Sequence, residues 1–160
     1  MKQNRVNRVL KALGDMGLSQ MLIVDPMSIY YLTGVYIAPF ERFYGLYLRA
    51  DGKHVYFLNR LFHVPEDVGI EKVWYSDTDP VTDLIAGRLD KDTPLGVDKD
   101  LRASFLLPLI DRKAAAGFVN ASIAVDRTRG VKDAEEQELM RTASLINDRA
   151  IAQFKTLIHD

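Results

Sequence analysis

The side chains of this sequence that could do chemistry are His54, His63 and His159, the serines Ser104, Ser122 and Ser144, and the acidic run LDKDTPLGVDKD with Asp90, Asp92, Asp98 and Asp100. A metal site needs histidines or carboxylates one helical turn apart, or converging from neighbouring elements. None of the histidines has a partner at the helical spacing that would build such a site, and all three read as surface residues. Lys91 and Lys99 alternate with the aspartates, the pattern of a solvated loop. The serines lack the strand-to-helix context of a nucleophile elbow. The segment DAEEQE (133–138) suits a helix start, where negative charge complements the macrodipole. There is no G-x-G-x-x-G and no Walker loop. The chain offers no self-sufficient active site.

The stretch IYYLTGVYIAPFERFYGLYL (29–48) is different: it gathers aromatic residues around a Thr-Gly pair, with one Glu-Arg pair in its middle. Tyr31 and Tyr44 are expected in the core. Phe40 and Phe43 suit either a core or an exposed wall, and Arg42 can pair with Glu41 beside it.

The totals narrow the class. A chain of 160 residues with 48% hydrophobic and 27% charged residues can bury a core of its own. A net charge of −1, from 21 basic and 22 acidic residues, argues against a nucleic-acid or anionic-membrane surface. With no cysteine, a disulfide framework and a Cys-zinc site are excluded, and a reducing cytoplasm is permitted. The N-terminus lacks the apolar core of a signal peptide, and no apolar run reaches membrane-span length.

The elements that must position these residues alternate. Val6, Val9, Leu10 and Leu13 predict a helix ended by Gly14 or Gly17. MLIVD (21–25) predicts a strand stopped by Pro26, and residues 27–33 a single helical turn. GLYLRADGKHVYFLN (45–59) predicts a hairpin with a type I′ turn at Asp51-Gly52. Further strands are expected at 70–75, 94–98 and 118–125, with helices at 79–89 and 103–115, the latter kinked by Pro108. A long helix begins at Asp133, whose pairing with Glu136 fits a capping box. Its apolar stripe runs through Leu139, Ala143, Ile146, Ala150, Phe154 and Leu157. The expected fold class is α/β, a mixed sheet with flanking helices. The stripe still repeats where the sequence stops and no Gly or Pro ends it, which suggests a chain cut from something longer.

Four stretches in this order resemble the creatinase/prolidase N-terminal domain: MLIVDPMSIYYLTG (21–34), the hairpin at 46–58, LGVD (95–98), and VDRTRGVKDAEEQELMRTASLINDRAI (125–151). The last carries Arg129 and Lys132 in the family's Arg-x-x-Lys segment, leading into a linker helix. The resemblance implies a ribonuclease H-like domain over 1–132 and a linker helix over 133–160. It implies the non-catalytic N-terminal part of a cytoplasmic Xaa-Pro dipeptidase or aminopeptidase P-like metallopeptidase. The missing pita-bread domain would hold two divalent metal ions (Mn, Co or Zn) on Asp, Asp, His, Glu and Glu, and this chain alone would be inactive.

The resemblance further implies a homodimer in which this domain covers the partner subunit's active site and peptide substrate. The loop VYIAPFERFY (35–44) would then reach the substrate, with Tyr36, Phe40 and Phe43 as a water-excluding wall and Arg42 meeting a substrate carboxylate. A free-standing small-molecule-binding or oligomerisation domain is the alternative. A nuclease of the same fold would need several carboxylates on adjacent strands, and Asp25 alone ends the first strand.

Overall fold

The computed structural model describes residues 1–158. They form two units, Met1–Arg129 and the segment from Gly130 onward.

The first unit is built on a six-stranded mixed sheet: β1 (Gln20–Ile23), β2 (Gly45–Arg49), β3 (Val55–Asn59), β4 (Glu71–Tyr75), β5 (Leu95–Val97) and β6 (Phe118–Asn120), in the order β4-β3-β2-β1-β5-β6. The β1–β2 and β2–β3 pairs are antiparallel, whereas β1–β5, β5–β6 and β3–β4 are parallel. Strand side chains alternate between two cores. Met21, Ile23, Leu46, Leu48, Tyr56 and Leu58 face one, with Val6, Val9 and Leu13 of α1 (Gln3–Asp15) and Ile29 and Leu32 of α2 (Pro26–Thr33). Leu22, Tyr47, Val55 and Phe57 face the other, which α3 (Val81–Ala86) and α4 (Ala103–Asp111) supply with Ile85 and Leu109. Both faces are covered, so β1, β2 and β3 are nearly continuous buried runs. Each large aliphatic side chain buried here contributes about 1.5–3 kcal/mol.

Local chemistry sets the ends of the elements. Gly17, at φ 71°, closes α1: its N–H donates to the Gly14 carbonyl, and the N–H of Leu18 donates to that of Leu13, a Schellman pattern. The segment expected as one helical turn is the two-turn α2. Asp25 caps its N-terminus, Pro26 opens it, and Gly34 at φ 79° ends it.

Two expectations are corrected. The hairpin forms, but its register pairs Tyr47 with Val55 and leaves a longer connection than two residues. Only Gly52 of the Asp51-Gly52 pair has positive φ, whereas a type I′ turn needs it at both positions. The strand expected over 118–125 stops at Asn120, where Asn120 Oδ1 accepts from both the N–H and the hydroxyl of Ser122. This Asx turn redirects the chain into α5 (Ser122–Gly130), with Ala124, Val125 and Thr128 buried at helical spacing.

The segment from Gly130 onward is dominated by α6 (Ala134–Leu157), opened by the expected Asp133–Glu136 capping box. None of its residues is buried, and Leu139, Ile146, Phe154 and Leu157 are all exposed. His159 lies outside the described residues.

Candidate functional site

The loop between α2 and β2 turns on hydrogen bonds that the sequence does not advertise. The Thr33 hydroxyl donates to the Ile29 carbonyl and accepts from the N–H of Val35, so the chain leaves α2 in a fixed direction. Tyr44 returns it: its buried hydroxyl donates to the Val35 carbonyl and shares a short hydrogen bond with Tyr56. Burial pushes the Tyr44 phenol far above its usual range, and the neighbouring Tyr56 adds to this, so both remain neutral hydroxyls.

Within this frame the four expected site residues have different surroundings. Phe43 is 2% exposed and packs edge-on against Phe57 and Phe105. It is a core residue. Its carbonyl accepts from the Tyr75 hydroxyl at 2.6 Å. Phe40 is 74% exposed and held at φ 54°, a left-handed conformation that costs a non-glycine residue about 1–2 kcal/mol. Tyr36 is exposed and lies edge-on to Tyr30, on the outer side of α2.

Arg42 donates from Nε and Nη2 to Asp77 at 2.9 and 2.8 Å, and its Nη1 is 3.0 Å from Glu41. Asn59 donates to the same Asp77 at 2.7 Å. The Arg42 bond holds the Asp77 carboxyl below the ordinary aspartate range and pushes Arg42 upward. The expected pairing with Glu41 is therefore present but secondary to Asp77, a partner 35 positions away.

Phe40, Arg42 and Phe43 border a cleft of about 320 Å³, whose other wall comes from Val24 after β1 and from Asp100, Arg102 and Phe105 after β5. Arg102 crosses to the loop and donates to the Phe40 carbonyl. Ligands of α/β sheets characteristically bind outside the carboxyl ends of parallel strands, where neighbouring connections diverge. Here β1 is parallel to β5 on one side and antiparallel to β2 on the other, and the cleft opens at that junction. Sequence reasoning missed Asp77, Asn59 and Arg102 as parts of the site, and read Asp100 only as one of a run of solvated aspartates. No local motif marks them.

A second polar cluster lies nearby. Asp25 accepts from the N–H groups of Met27 and Ser28, the Ser28 hydroxyl and Arg129 Nη1. Burial would raise its pKa, but the Ser28 and Met27 hydrogen bonds and the Arg129 charge outweigh this and hold the carboxyl low. Asp98 is not part of a solvated loop, as its lysine neighbours suggested. It is 5% exposed, and its carboxylate accepts from the N–H groups of Val24, Asp25 and Asp100. Burial raises its pKa against those bonds. His54 also departs from the surface reading: it is 8% exposed, its Nδ1 accepts from the Arg49 N–H, and burial lowers its pKa. His63 is exposed, as expected.

Among the described residues no group of three or more His, Cys, Asp or Glu side chains could hold a metal ion, and no helix is long and apolar enough to cross a membrane. What the fold defines is an α/β domain built on a mixed six-stranded sheet.

The chain belongs to the creatinase/prolidase N-terminal domain family, which matches residues 5–131. It is 28% identical to an uncharacterised peptidase of Staphylococcus aureus over 158 residues, covering 92% of this chain and 42% of that protein. The chain thus spans less than half the length of the curated relatives it matches. Among solved structures it is similar to a prolidase of Thermococcus sibiricus, with a TM-score of 0.86 and 21% identity, covering 98% of this chain and 44% of that one. It also matches a proline dipeptidase of Streptococcus pneumoniae, with a TM-score of 0.69 and 26% identity, over 79% of this chain and 98% of that one.

Proposed function

We propose that this chain is the non-catalytic N-terminal domain of a metal-dependent, cytoplasmic Xaa-Pro dipeptidase, and that it serves dimerisation and substrate gating over the partner subunit's active site. In this reading the catalytic domain supplies two divalent metal ions (Mn, Co or Zn), which activate water for amide hydrolysis. This chain's part is to shape and close the substrate chamber.

The observation that carries the reading is the braced 35–44 loop. Phe40 is presented outward in a strained backbone conformation, with Arg42 and Arg102 tying down the loop on either side. Local strain persists only where surrounding structure over-determines it, and it concentrates at clamps and gates. The exposed stripe of α6 supports the dimer, since contiguous apolar surface marks interaction sites.

The test is kinetic. In the full-length protein, Phe40→Ala should lower kcat/KM for Xaa-Pro dipeptides by about tenfold, as expected for a wall that excludes water. Unchanged kinetics would move the gate elsewhere. A coding sequence that continues beyond Asp160 without Asp, Asp, His, Glu and Glu in metal-ligand order would end the peptidase reading altogether.

A further inference from the structure

The sheet ends in two edges, β6 on one side and β4 on the other. β6 has three residues, whereas β4 has five and pairs only with β3. In a parallel ladder, alternate residues of a strand turn both backbone groups toward the neighbour. The Arg60 N–H donates to the Tyr75 carbonyl, and with Asn59 beside Tyr75 this turns Glu71, Val73 and Tyr75 toward β3. The N–H and carbonyl groups of Lys72 and Trp74 therefore face the open edge. Among the described residues no backbone group outside the ladder reaches them.

Open edges are normally blunted by proline, by a bulge, by short length or by a solvated lysine. β4 contains no proline, and its register with β3 is unbroken over all five residues. Its lysine is not left to water: Lys72 Nζ donates to the Pro65 and Glu66 carbonyls at 2.6 and 2.7 Å. On the same face of the strand stands Trp74, 38% exposed. On the opposite face Glu71 is paired with Arg88 at 2.6 Å. The edge thus keeps its hydrogen-bonding groups, and both of its charges are already engaged.

The strand that fits this edge best is itself. Two antiparallel copies close hydrogen bonds only where outward-facing residues meet outward-facing residues, which allows three registers. Lys72 opposite Lys72 sets like charges against each other. Trp74 opposite Trp74 carries Lys72 past the end of the strand. Lys72 opposite Trp74, with a two-fold axis at Val73, uses both outward residues of both copies. It also lays each indole against a lysine whose ammonium is already held in place, a cation–π arrangement. On the other face Val73 meets Val73 and Glu71 meets Tyr75, so no like charges are opposed. An arbitrary extended peptide would find the same backbone groups without this match of side chains.

We infer that β4 is a self-association edge: two copies of this chain join antiparallel about Val73, fusing their six-stranded sheets into one continuous sheet. The contact uses neither the 35–44 loop nor α6, so it stands or falls independently of the gating reading. A short ribbon with little apolar area is a weak interface, with a dissociation constant of about 1 mM.

The experiment is amide hydrogen exchange of the isotopically labelled 160-residue chain, carrying Ile146→Lys and Phe154→Lys so that the exposed stripe of α6 does not contribute. In dilute solution the Lys72 and Trp74 amides should exchange freely, while those of Val73 and Tyr75, bonded to β3, stay protected. Raising the chain to about 1 mM should slow the first two about twofold and leave the others unchanged. Two changes at one position test the register. Trp74→Lys sets lysine against lysine and should abolish the concentration dependence, whereas Trp74→Glu loses the same ring and should keep it. Trp74→Pro removes an outward N–H and should abolish it too, without disturbing the β3–β4 ladder. Protection at Val73 and Tyr75 reports that each variant is folded. Exchange at Lys72 and Trp74 that does not change with concentration overturns the inference. So does identical behaviour of Trp74→Lys and Trp74→Glu.

Discussion

Arg42 and Asp77 are joined side-on, with Nε and Nη2 of the guanidinium directed at the two carboxylate oxygens at 2.9 and 2.8 Å. This pair ties the loop before β2 to the turn after β4, and Asn59 at the end of β3 fixes the carboxylate from beneath. An arginine committed in this way to an intrachain partner positions a loop more readily than it captures a substrate.

Breaking that tie should therefore loosen the loop without unfolding the domain. Arg42→Ala and Asp77→Ala should each leave the melting temperature nearly unchanged, since the pair is exposed and exposed pairs contribute little to stability. Chymotryptic cleavage after Phe40 should speed up several-fold in both variants, and the double variant should be no faster than either single one. Unchanged cleavage together with a large fall in melting temperature would make the pair structural.

The two phenylalanines of the loop should behave oppositely. Phe43→Ala removes a buried ring from between Phe57 and Phe105 and should cost about 3–5 kcal/mol in denaturant unfolding. Phe40→Gly removes an exposed ring and its left-handed strain; it should leave stability unchanged or raise it by up to about 1 kcal/mol. A destabilised Phe40→Gly would mean that the ring has a buried partner.

Asp25 and Asp98 should give opposite dependences on pH. The folded-state pKa of Asp25 lies below the ordinary 3.8, so its contribution is present above that value and lost as pH falls through the depressed folded pKa. That of Asp98 lies above 3.8, so its contribution is present below the ordinary value and lost as pH rises through the elevated folded pKa. Carboxyl-carbon resonance titrations should place the two midpoints on opposite sides of 3.8. The advantage of the unaltered chain over Asp25→Asn should grow with rising pH in this range, and its advantage over Asp98→Asn should shrink. Two midpoints on the same side would contradict the hydrogen-bond assignment.

The apolar stripe of α6 should drive self-association. Sedimentation at rising concentration should show a dimer or larger species, and Ile146→Lys with Phe154→Lys, both at exposed positions, should abolish it without loss of helix. A monomer at every concentration would remove α6 as the source of association.

Much of the fold is legible in the sequence because its signals are local. The 3.6-residue spacing of Val6, Val9 and Leu13 writes α1, and the Asp133–Glu136 box opens α6. The branched and aromatic runs on either side of Gly52 write a hairpin. Two local readings failed where an interaction outside the local pattern decided the path of the chain. Asn120 could have continued a strand, and its side chain turned the chain into α5 instead. Asp51-Gly52 could have closed a two-residue turn, but the β2–β3 register set a longer one.

The cleft is another matter. Its parts come from residues 24–26, 39–44 and 100–105, and no periodicity links them. They meet because β1 lies between β2 and β5, so the segment that enters antiparallel β2 and those that leave β1 and β5 converge at one end of the sheet. The same holds for the state of each side chain. The sequence supplied Arg42, Asp98 and His54 as ordinary charged or titratable residues. Only the tertiary structure paired the first with Asp77 and buried the other two away from water. Propensity and patterning act over one or two turns of chain, whereas burial and long-range charge pairing depend on which distant segments the packed sheet brings together.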